Sequence, residues 1–330
     1  MEHDENKHEL KKGFFWSARL FLLSAILAFA VAILVYAAVI FFSQTPAPIN
    51  QAVSGTTNSA LAKVEVGARY VGLTASIFVF NSIAAFTGSA GAALIVFVHR
   101  MLLSDLDLRK KYPIYGKLSK KTESWGRPFS GLFRRLFPST YASFSNDEVH
   151  KSEDSIWNYY GYDRGQYRMF ASMLPYAPPF LVSVANGVLA GILLAFMAVN
   201  GSVEGMNIFG NTGIFTGALA GIAYFMAFII PHGIIEIPAL FLSAGLGYVF
   251  ASRQATVVKN ELLFSGNYVD DLKKDISKTE KCASKFLKSA YFRKAIFACV
   301  CLLLIASYIE TEITPEIGAA IFEFVLDYLN

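Results

Sequence analysis

The chain has 330 residues, 54% of them hydrophobic and only 16% charged, with a formal net charge of +4. Soluble domains carry about 25% charged residues, so this composition excludes an ordinary soluble protein. The modest charge, diluted by interspersed acidic residues, excludes a nucleic-acid binder.

The apolar residues collect into runs of roughly 20, enough to cross about 30 Å of hydrocarbon as a helix. The alternating segments of about ten residues that mark a transmembrane barrel do not occur. A Lys-containing start, with Lys7, Lys11 and Lys12, leads into the first run, 14–42. That run exceeds a signal-peptide core of about 7–15 residues and predicts a retained span. Residues 43–68, rich in Ser, Thr, Asn, Pro and Ala, read as a loop. The second run, 69–99, contains Gly88, Ser89, Ala90, Gly91 and Ala92, small residues that let helices approach closely in a bilayer.

Residues 100–170 form a long polar insertion that mixes basic residues with Trp125, Phe129, Phe133, Phe137, Trp157, Tyr159 and Tyr160. The expected setting is a cytoplasmic loop on anionic headgroups with aromatics at the interface. The same residues fit a surface that docks a partner protein. Four further runs follow at 179–199, 209–230, 232–252 and 290–309, and a basic, helical-looking stretch occupies 253–289. Asn200-Gly201-Ser202 is a formal glycosylation sequon in a short loop. Cys282, Cys299 and Cys301 have no metal-finger spacing and read as free thiols.

Charge and hydropathy then conflict. Lysines place the N-terminus in the cytoplasm, and two crossings place 100–170 there too. Three runs lie between residues 170 and 253, and three crossings would put the basic stretch outside. The resolution favoured here is a re-entrant or broken segment at Pro231, within a region interrupted by Gly210, Gly213, Gly217, Gly221, Gly233 and Pro238. Six plain spans with the basic loop outside is the other solution.

The polar residues inside the apolar runs are the candidate site: Asn81, Asn186, His232, Glu236 and Glu310. His232 and Glu236 are four apart and share a helix face. Pro231 suits the first turn of a helix, so a helix is expected to start there. An ionised group facing lipid costs about 2.5–3.5 kcal/mol on insertion scales, so the pair is expected to face the bundle interior. Three chemistries fit: a structural hydrogen-bonded cluster, proton or ion handling by a histidine near neutrality, and a metal site. His232 and Glu236 supply two metal ligands, and a third must come from a distant segment. No phosphate-binding Gly-rich loop and no Gly-x-Ser-x-Gly turn occurs. No catalytic residue and no cofactor is assigned.

These motifs together resemble the SpoIIM (stage II sporulation protein M) family. The resemblance rests on Asn81, on Asn186-Gly187, on Pro231-His232-Gly233-x-x-Glu236, and on Ile309-Glu310 with Thr314-Pro315. It covers residues 14–99 and 175–318, with the insertion and the basic stretch longer than the family leads one to expect. It implies a polytopic membrane protein. In spore-forming bacteria such proteins join peptidoglycan-degrading partners in a complex that helps membranes move during engulfment. The expectation is therefore one all-α membrane domain over residues 1–330, a transmembrane helix bundle of about six apolar segments in the cell membrane. The role expected is a scaffold or complex-forming subunit with membrane remodelling. A proton- or ion-coupled transporter or channel, and a metal-dependent intramembrane enzyme, are the alternatives. The expected partners are the lipid bilayer, membrane or cytoplasmic proteins and a second copy of the chain.

Overall fold

The computed structural model describes residues 2–43, 45–125, 135 and 154–329. Phe129, Phe133 and Phe137 lie outside them. Among the described residues all regular structure is helical. The helices are α1 Glu2–Ser43, α2 Ala47–Val71, α3 Leu73–Leu94, α4 Met101–Lys111, α5 Pro113–Ser124 and α6 Arg164–Met173. They continue as α7 Ala177–Phe209, α8 Gly213–Asn260, α9 Val269–Lys288, α10 Ala290–Tyr308 and α11 Thr314–Leu329. A π-helical turn, Ile309–Ile313, joins α10 to α11.

Two expectations about the course of the helices are corrected first. Residues 43–68 are not a loop, because α2 occupies most of them. Pro46 and Pro48 stand at its start, where a missing N–H costs nothing, and Asn50 is engaged by Tyr36, whose hydroxyl donates to Asn50 Oδ1 at 2.9 Å. The chain is also not broken at Pro231. The runs 209–230 and 232–252 are one helix, α8, with Pro231 and Pro238 inside it. A proline removes one ladder hydrogen bond, here the bonds to the carbonyls of Ala227 and Ile234. A membrane helix tolerates this when neighbouring groups re-satisfy the freed carbonyls.

The stretch Arg164–Asn260 is one of four candidate membrane spans and contains both α7 and α8, which are 33 and 48 residues long. At 1.5 Å per residue these helices measure about 50 and 72 Å. Each is long enough to cross, which gives five apolar helices: α1, α3, α7, α8 and α10. Merging two runs into α8 leaves two long apolar helices, in place of three runs, between residues 170 and 253.

The described residues form two compact units. The first comprises residues 1–88, 179–245 and 294–330. Its helices are held by close backbone approach. A Cβ at Gly205 would land on the Gly213 carbonyl, and one at Gly201 on the Gly217 carbonyl, so α7 and α8 form a tight hairpin. Gly210, at φ +67°, makes the left-handed bend between them. On the other face of α7, a Cβ at Gly191 would strike the Ala25 carbonyl of α1. Ser17 and Ser183 also pair there, buried, at 2.7 Å. Asn200 lies within α7 and not in a loop; its amide donates to the Phe196 carbonyl and its Oδ1 accepts from Asn50.

The second unit comprises residues 89–178 and 246–293. Its core joins Leu102 and Leu106 of α4 with Ile156, Trp157, Tyr160, Tyr167, Phe264, Leu272 and Ile276. Trp157 and Tyr160 are therefore core residues and not interfacial ones. Trp157 Nε1 donates to the Gly266 carbonyl at 2.8 Å. Trp125 stays exposed. Along α9, Leu272, Ile276, Thr279, Ala283 and Phe286 are buried, a four-then-three spacing that makes one apolar face. The lysines occupy the opposite face.

Candidate functional site

His232 and Glu236 sit one turn apart on α8, as their spacing predicts. Glu310 meets them from the π turn, and one ligand atom from each of the three lies within 4.8 Å of the others. His232 is 8% exposed, and both glutamates are half-buried. Thr314, the first residue of α11, places its hydroxyl 3.3 Å from His232 Nδ1.

Local sequence explains the aim of these side chains. Pro315 has no N–H to give the Thr311 carbonyl, and the ladder widens into the π turn immediately before it. The turn re-aims Glu310 relative to a regular helix, and such single π turns recur at functional sites. Thr311 fixes the turn by pairing with Thr74 of α3 at 2.8 Å. The proline at 231 precedes His232, so proline-weakened turns flank the site on both helices.

Two ionised carboxylates within 4.8 Å of each other repel by roughly 3 kcal/mol or more at an effective dielectric of 20. The pair therefore calls for positive charge between its members: a proton, a His232 imidazolium or a bound cation. Among the described residues, neither Glu236 nor Glu310 has a Lys or Arg partner.

The other two expected cluster members lie elsewhere. Asn186 spends its amide on the Val182 carbonyl, 2.7 Å away on its own helix. It lines a small void with Ser17, Phe21 and Ile237. Asn81 is half-buried on α3 and bonds to none of the three. The tie formed by Tyr36, Asn50 and Asn200 was not among the expected polar contacts, because Asn50 lay in a segment read as a loop. A cleft of about 350 Å³ opens along the glycine face of the α7–α8 hairpin, lined by Asn200, Glu204, Gly205, Gly217 and Tyr224; it does not reach the His-Glu-Glu group. The three cysteines are free.

A chain whose described residues are helical throughout its regular structure, with several helices long and apolar enough to cross a membrane, is a polytopic membrane protein. The sequence model of the SpoIIM family, stage II sporulation protein M, matches residues 17–315. The chain belongs to that family. No curated protein and no solved structure matches it.

Proposed function

We propose that the chain is a membrane scaffold subunit of the SpoIIM family that gathers partner proteins on one face of the cell membrane and takes part in shaping it. One observation carries this reading: two sequence segments far apart in the chain, 89–178 and 246–293, fold as a single compact unit with its own core. Five apolar helices bring both segments to one side. Lysines at the N-terminus favour the cytoplasm for that side. The lysine face of α9, with Lys274, Lys281 and Lys288 exposed, then provides a basic surface for acidic partners or headgroups.

Reconstitution and crosslinking separate this scaffold from a transporter. The full-length protein reconstituted in vesicles is expected to give no pH-dependent flux, and Glu236→Gln to keep the partner crosslinks formed by a photoreactive residue at position 281. Flux that Glu236→Gln abolishes would refute the scaffold. So would crosslinks unaffected by charge reversal at Lys274 and Lys288.

A further inference from the structure

We propose that His232, Glu236 and Glu310 bind one divalent transition-metal cation, of the zinc or manganese class, which clamps α8 to the π turn ahead of α11. This goes beyond the scaffold reading and does not depend on it.

The donor set is one imidazole nitrogen and two carboxylate oxygens, all within 4.8 Å of one another. First-row cations bind such atoms at about 2.0–2.2 Å, which places neighbouring ligand atoms about 3.5 Å apart at tetrahedral corners. The flexible glutamate side chains close the remaining distance by rotation. Imidazole selects transition metals, and carboxylate oxygens suit manganese as well as zinc.

Three independent features favour a cation over a proton. First, neither carboxylate makes a hydrogen bond or ion pair with another described residue, whereas carboxyls that share a proton as a structural tie are normally bonded further. Second, His232 is nine-tenths buried and aimed at these two carboxylates. The Thr314 hydroxyl engages its Nδ1, which leaves Nε2 for an ion and fixes the ring as outer partners of metal-bound histidines do. Third, charge closes: two carboxylates and one divalent cation sum to zero inside apolar helices, where net charge is costly. The ligands come from separate helices, each beside a proline, so the ion joins two turns whose own hydrogen bonding is incomplete. Three protein ligands leave a fourth position for water.

The test uses the purified full-length protein in detergent, stripped with EDTA, dialysed, and titrated separately with zinc and manganese chloride. Bound metal is counted by mass spectrometry and the thermal midpoint is read alongside. One ion per chain and a raised midpoint are expected with at least one of the two metals. His232→Gln, Glu236→Gln and Glu310→Gln are each expected to weaken binding at least tenfold and abolish the rise. Glu204→Gln, which alters a carboxylate in the separate cleft, is expected to bind as the parent does. Circular dichroism of each variant reports folding, and the parent titration stands even if a variant does not fold. A stripped parent that takes up neither metal stoichiometrically overturns the proposal. So does metal retained equally by all four variants, because the ion then sits elsewhere.

Discussion

Glu236 of α8 and Glu310 of the π turn hold carboxylate oxygens within 4.8 Å of each other, with His232 closing the third side. Their like charge gives Glu310→Gln opposite effects in two states. In metal-stripped protein the substitution relieves repulsion and raises the thermal midpoint, by an amount equivalent to about 1–3 kcal/mol. In metal-loaded protein it removes a ligand and lowers the midpoint relative to the parent. Melting curves of parent and variant, with EDTA and with zinc, check the change of sign.

The α7–α8 hairpin depends on glycine at its points of backbone contact. Gly205→Val drives a branched side chain into the Gly213 carbonyl. The helices must separate, with an expected loss of about 3 kcal/mol or more, beyond the usual range for overpacking. Gly55→Val, at a position where a Cβ meets nothing within 4 Å, is expected to be near neutral. Yield of monodisperse protein and thermal midpoint distinguish the two.

Arg109 anchors the second unit. Its guanidinium donates to Asp105 at 2.7 Å, to Glu123, and to the Tyr159 carbonyl at 3.1 Å, and lies over the Tyr160 ring. Its side chain is only 4% exposed. Arg109→Ala leaves two carboxylates without their common partner and is expected to cost about 3–5 kcal/mol. Arg109→Lys restores charge but not the planar fork, so it rescues less than half. Limited proteolysis of the second unit, comparing the three proteins, reads the order.

Asp275 carries a pH dependence. Burial pushes its carboxyl above the ordinary range, against the Phe264 N–H that donates to it at 2.6 Å. A raised folded-state value means that the folded chain holds this proton more tightly than the unfolded chain. That contribution is fully present below the ordinary Asp range and is lost as pH rises through the folded-state value. Asp275→Asn is therefore expected to gain stability relative to the parent on moving from mild acid toward neutrality. Thermal midpoints of both proteins across that range check it; a difference that shrinks with rising pH contradicts the assignment.

Much of this was legible in the sequence. The apolar runs and the one-face placement of His232 and Glu236 follow from hydropathy and helical spacing. The convergence of Glu310 was expected only as part of a looser group, and geometry separates it from Asn81 and Asn186. The break at Pro231 was misread because proline punctuates soluble helices, whereas an apolar helix packed in a bundle continues through it. Helix α2 was missed because Ser, Thr and Asn signal loops, while Asn50 spends its side chain on Tyr36 and Asn200. The second unit was hidden for another reason. Trp157 reaches a carbonyl on residue 266, and no local pattern distinguishes such a core aromatic from one resting on headgroups.

The central claim is that Gly213–Asn260 is one uninterrupted crossing that brings both basic segments to the same face. Single cysteines at Lys117, Lys274 and Asn211, in a chain lacking Cys282, Cys299 and Cys301, test it with a membrane-impermeant maleimide in sealed, oriented vesicles. Positions 117 and 274 are predicted to label together from one side and position 211 from the other. Labelling of position 274 together with position 211 would contradict the account.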